Sequence, residues 1–191
     1  FNIALKYEHR TKIKVKNATK VDDVGLYPDG VEVPSDLPGL LSVGTSLAAL
    51  NKFRFHAGFH YYLDRSADYG KTIGGEFVKN EEVIDNNFWE AAFGVEYDIN
   101  DQFLVSAGYL RTQTGVNDKY HSDLSHSLST NSGGLGLRYE FTSAVAVNLG
   151  AMFTFYEPYT KDFPAVEPMP AYKEEYKRTT TTFAIGIDVS L

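Results

Sequence analysis

Apolar and polar residues alternate along this chain with a period of two, in one segment after another. In Phe1–Val15, Ile3, Leu5, Tyr7, Ile13 and Val15 share one face, and Asn2, Lys6, Glu8, Arg10, Lys12 and Lys14 share the other. The same pattern recurs near Leu40–Ala48 and is sharpest over Asn51–Leu63. There Phe53, Phe55, Ala57, Phe59 and Tyr61 oppose Arg54, His56, Gly58, His60 and Tyr62. It returns with Trp89–Asp98, Phe103–Leu110, Gly134–Phe141, Val145–Phe155 and Phe183–Leu191. Period two is the mark of a strand with one apolar face. No segment holds a helical period over three turns, so the chain is all-β.

The connections decide which β architecture. Ala49–Lys52, Ile99–Gln102 and Thr142–Ala144 are tight turns, whereas 16–36, 64–87, 113–130 and 157–178 are long and polar. Long and short connections therefore alternate. A soluble sandwich has no reason to place every long loop at one end. An antiparallel, up-and-down transmembrane β-barrel does, with short periplasmic turns and long external loops. Aromatic residues near segment ends (Tyr7, Tyr61, Trp89, Tyr97, Tyr109, Tyr139, Phe141, Phe155) suit membrane girdles, although aromatics also favour strands generally. A lipocalin-like barrel would invert the faces, enclosing the apolar set and exposing Arg54, His56, Glu90, Glu96, Arg138 and Glu140.

Composition narrows the picture further. The mean hydropathy of −0.27 and the lack of a long apolar run exclude helical spans, but a transmembrane strand averages to neutral hydropathy anyway. Against 25 Asp and Glu stand 18 Lys and Arg, and the resulting net charge of −7 argues against a nucleic-acid partner. With no Cys, disulfides, thiolate metal sites and Cys nucleophiles are excluded. Phe1 opens directly into alternating sequence, so either a leader has been removed or the chain starts inside a longer one. Gly44, Gly58, Gly94, Gly108, Gly134, Gly136, Gly150 and Gly186 all fall on the polar face. Strand glycine weakens a strand and marks close approach or curvature. A ring of small residues thus either leaves a lumen for a plug or ligand or eases the bending of the wall.

Several stretches together resemble the FadL/TodX family of Gram-negative outer-membrane channels, in its Bacteroidetes-like branch. They are Phe88-Trp89-Glu90 with Gly94–Asp98, Ser106–Asn117, Ala57–Tyr62 and Gly134–Tyr139. The resemblance implies passive transport of long-chain fatty acids or other hydrophobic compounds in the bacterial outer membrane, without an enzymatic step, cofactor or ATP. It implies a barrel of about 14 strands closed by an N-terminal hatch. With only eight strands here, this chain would be the C-terminal portion of a longer protein. The hatch and a kinked strand that opens the wall to lipid would then lie upstream. Outer-membrane lipid and lipopolysaccharide would surround the wall. One departure is the final Leu191, where such barrels usually end on Phe.

Candidate chemistry sits mostly on the polar face. Arg54, His56, His60, Glu90, Arg138 and Glu140 are the lumen-facing candidates for ligand binding. Opposite charges in a lumen usually pair and hold the wall in shape, but Arg54 or Arg138 could also grip a carboxylate headgroup in bidentate fashion. His56 and His60 lie about 13 Å apart along a strand, too far to share one metal ion. His121 and His126 accompany Ser122, Asp123, Ser125 and Ser127 in a loop, where a Ser/His/Asp site would lack a rigid support. Asp22, Asp23, Asp29 and Glu32 lack the spacing of a calcium loop, and Pro28-Asp29-Gly30 reads as a turn. Catalytic and metal residues are therefore expected to be absent. Two other functions stay open: a complete small outer-membrane barrel with a structural or adhesive role, and an outer-membrane lipid hydrolase.

Overall fold

The computed structural model describes the whole chain except residues 26–27, 50–51, 74–75, 123–124 and 191. Its centre is one eight-stranded antiparallel sheet in which each strand pairs with the next along the chain. Numbering only the strands of this sheet, they are β1 (Asn2–Glu8), β2 (Leu40–Ala49), β3 (Phe53–Tyr62), β4 (Trp89–Asp98), β5 (Phe103–Gln113), β6 (Thr130–Thr142), β7 (Val145–Tyr156) and β8 (Thr179–Val189). Up-and-down order is the arrangement expected when every neighbour in sequence becomes a neighbour in space. Among the described residues nothing pairs β1 with β8, so the sheet is open at both edges.

Within the eight strands, register keeps the alternating residues on their faces. Arg54 stands opposite Glu96 and His60 opposite Glu90, while Phe55 stands opposite Val95 on the other side. From β5 to β8 the polar face continues through Leu104–Arg138, Arg138–Asn148 and Asn148–Gly186. The apolar face is strongly exposed: Leu135 at 63%, Phe155 at 60% and Ile185 at 75%. Its aromatics pair across strands, Phe53 with Tyr97 at 4.6 Å between ring centres and Phe103 with Tyr139 at 4.4 Å. Cross-strand aromatic pairs of this kind stabilise a sheet surface.

Two tight turns are held by their own side chains. Asn100 Oδ1 accepts the backbone N–H groups of Gln102 and Phe103, each at 2.9 Å. Thr142 Oγ1 accepts those of Ala144 and Val145. Short polar side chains that bond the backbone a few residues on are what such reversals use.

The first strand is shorter than the alternation predicts. β1 ends at Glu8, and Lys14–Lys16 instead pairs with Glu32–Pro34 in a separate hairpin. Arg10, Lys12 and Lys14 thereby leave the polar face of the main sheet. The turn at Pro28-Asp29-Gly30 is present, with Gly30 at φ +77° and Val31 N–H returning to the Pro28 carbonyl. A positive φ at that position calls for glycine.

The most deeply enclosed residues lie in the long connections, while Ala146, Thr130, Ser132 and Thr154 are buried on the sheet itself. Ala67, Val83, Ile84 and Asn80 are almost fully enclosed. Asn80 Nδ2 donates to the carbonyls of Asp64 and Ala67, and its backbone N–H donates to Asp68 Oδ1. Asp36 is gripped by the Arg10 guanidinium and accepts the backbone N–H groups of Ile13 and Asp68. The Arg10 hydrogen bond holds its carboxyl below the usual range. Asp85 and Asn86 donate to the Gly115 carbonyl, and Ile84 bridges Val116. The connections 9–39, 63–88 and 114–129 are thus tied together into a folded cap at one end of the sheet.

Candidate functional site

The polar face carries two charged clusters and, between the sheet's ends, a hollow. In the first cluster Arg54 Nε donates to Glu96 Oε2 at 2.7 Å, and its two terminal nitrogens donate to Asp98 at 2.6 and 3.0 Å. In the second, Arg138 bonds Glu140 Oε1 at 3.2 Å, Asn148 Oδ1 at 3.4 Å and the Asp188 carboxylate. Both clusters line one cavity of about 230 Å³ beside the Ile99–Gln102 turn. Such pairs form because neighbouring strands place same-face residues side by side, within reach of long side chains.

The six sequence candidates therefore fall into two groups. Arg54 lies near His56, whose Nε2 is 3.7 Å from Glu96, and His60 Nδ1 lies 3.6 Å from Glu90. Arg138 and Glu140 pair with each other on the far side. Sequence reading missed Asp98 and Asp188, the strongest partners of the two arginines. Both hold polar-face positions at strand ends, which was the signal available. Among the described residues the Lys6–Glu8 pair at 2.9 Å on β1 completes the charged residues of this face.

Between the clusters and the cap the face is lined by small residues. A hollow of about 690 Å³ is bordered by Gly44, Gly58, Gly94, Gly108 and Gly134, with Leu110 and Met152 adding apolar surface. These glycines do not follow one hydrogen-bonded row. Gly44 pairs with Gly58, Gly94 with Gly108 and Gly134, and Gly136 with Gly150, each group stepped toward the short turns. The strand ends step the same way: Gly44 lies as far from Ala49 as Gly58 does from Phe53, Gly108 from Phe103 and Gly150 from Val145. Those four glycines sit at one depth from the short turns. Strand tilt produces such a diagonal, since a level line on a tilted wall crosses successive rows.

The loop histidines do other work. His121 is 4% exposed, stacks on Tyr159 at 4.0 Å, and its Nδ1 has no hydrogen-bond partner. Lys161 Nζ donates to the His121 carbonyl, and Lys71 Nζ donates to the Tyr120 carbonyl and to Ser125. His126 lies against Tyr176. These contacts clamp 114–129 to the neighbouring connections, and Asp123 lies outside the described residues. Among the described residues no three His, Asp or Glu side chains converge as a metal site would require.

Solved structures share this architecture. The chain superposes on a FadL homologue from Pseudomonas aeruginosa with a TM-score of 0.65 and 15% identity, over 98% of its own length and 48% of the other. It has the FadL/TodX fold. The toluene transporter TodX of P. putida aligns with a TM-score of 0.53 and 12% identity, over 98% of this chain and 45% of TodX. The chain spans about half the length of these FadL-fold proteins. The sequence matches no family model and no curated protein.

Proposed function

We propose that this chain builds part of the wall of a Gram-negative outer-membrane channel for passive entry of hydrophobic molecules, fatty acids among the candidates. The observation that carries the reading is the division of one open sheet into an exposed apolar face and a glycine-lined hollow. In water, leaving a side chain such as Phe183 or Ile185 uncovered forfeits about 1.5–3 kcal/mol each. Against acyl chains that penalty vanishes. The fold shared with a FadL homologue and a toluene transporter supports the same conclusion. A small structural barrel would instead need its centre packed with side chains, which glycine does not supply.

On this reading the long connections face outward, with lipid and lipopolysaccharide around the wall, and the short turns face the periplasm. The remaining strands and an N-terminal hatch come from the same longer protein. Movement is downhill, and no bond is made or broken. Filling the hollow tests the idea. At Gly44 an added Cβ meets nothing within 4 Å, and at Gly58 it meets only the Val43 carbonyl at 3.9 Å. Gly44→Leu with Gly58→Leu should reach the membrane and lose most uptake of labelled naphthalene in whole cells. Undiminished uptake with both leucines in place would reject the channel.

A further inference from the structure

Resting on the transport reading, and narrowing its substrate class, we infer that this wall passes uncharged hydrophobic molecules and turns away carboxylates. Among the described residues the cations of the sheet's inner face are Lys6, Arg54 and Arg138, and each is already engaged by a carboxylate. Arg54 spends three donors on Glu96 and Asp98. Arg138 is held by Glu140, Asn148 and Asp188. Glu90 adds a further negative group, with His60 beside it. Carboxylates on this face therefore outnumber permanent cations.

A carboxylate headgroup entering the cavity beside the Ile99–Gln102 turn would meet Asp98, Asp101 and Glu140 along with the two arginines. To be bound it would have to displace a carboxylate that the fold holds in place, and the displaced group would remain nearby as a repelling charge. Exchange of one partner for an equal one yields no net gain, while the added like charge and lost hydration are costly. An alcohol or hydrocarbon needs no such exchange. It meets a glycine-lined hollow whose surface is mostly apolar. Toward the cap, neutral hydroxyls, Thr112 bonded to Thr130 and Ser132 to Thr154, stand beside the negative Glu90, which lies opposite Thr112. The hydroxyls can exchange hydrogen bonds with an alcohol without any change of charge.

The experiment measures uptake of labelled dodecanol and dodecanoate at neutral pH, in cells that express the full-length protein and lack other channels for either compound. The wild type should take up dodecanol severalfold faster than dodecanoate. Freeing the arginines, with Glu96→Gln plus Asp98→Asn in one variant and Glu140→Gln plus Asp188→Asn in another, should move the ratio severalfold toward dodecanoate. The clusters share no hydrogen bond, so if one variant fails to assemble the other gives the same comparison, and the wild-type preference stands independently of both. Equal uptake of the two probes by the wild type, or an unchanged ratio in assembled variants, would overturn the inference and leave the channel intact. If neither probe enters faster than in cells without the protein, the transport reading falls and takes the inference with it.

Discussion

His121 shows how one side chain can set the pH range of a folded cap. Lys161 and Lys71 approach it from the flanking connections, His126 and Asp118 from its own, and Tyr120, Tyr159 and Tyr176 surround the ring. Burial pushes the imidazole down and Lys161 adds to this, against the pull of Asp118. The folded ring thus takes a proton at lower pH than an unfolded one, whose ordinary value is about 6.5. Its contribution is complete above that value and is lost as pH falls below it, because the unfolded form then binds more protons. Protease nicking within 114–129 and 157–178 should rise severalfold on mild acidification. His121→Phe keeps the stacked ring without a titrating group and should flatten that rise; an identical acid response in the variant would exclude His121 as its source. Nothing in the sequence marked this residue as buried, since its partners come from connections remote in the chain.

At the scale of elements, strands were legible and their partners only partly so. Period two placed Phe59 and His60 on opposite faces, and register keeps them there. It also ran β1 on to Val15, because Val15 is in phase with Leu5 although it belongs to a different hairpin. Alternation reports which face a residue takes, not which strand lies beside it. The cap was illegible for a related reason: its enclosed pair, Val83 and Ile84, is a brief apolar interruption in a polar stretch. With no native Cys, single labels at Phe59→Cys and His60→Cys are unambiguous. A spin label at the first should relax with oxygen, which concentrates in lipid, and one at the second with a water-soluble nickel chelate. The reverse pattern would invert the wall.

For the whole molecule, the alternation of long and short connections fixes which ends of the strands lie together, and the fold shared with proteins about twice as long fits an open sheet. Under the proposed orientation, protease added to intact cells should cut near Asp29, Asp118 or Pro168 and spare Asn100 and Ser143. Cutting at Asn100 in cells with a sealed outer membrane would reverse the sidedness. The candidate charges were legible as residues, but their saturation was not. Whether Arg54 and Arg138 are available to a ligand depends on Asp98 and Asp188, whose reach only the register reveals.

The bond between Arg138 and Asp188 joins β6 to β8 across the intervening β7. Measured along the sheet, two strand spacings amount to about 9.6 Å. A tie drawn on one side of a ribbon acts as a chord to an arc, and shortening the chord bends the ribbon toward that side. Asn148, bonded to both Arg138 and Asp188, sits under the chord and fixes its height. Three side chains on one face thus favour a bend of the sheet toward that face.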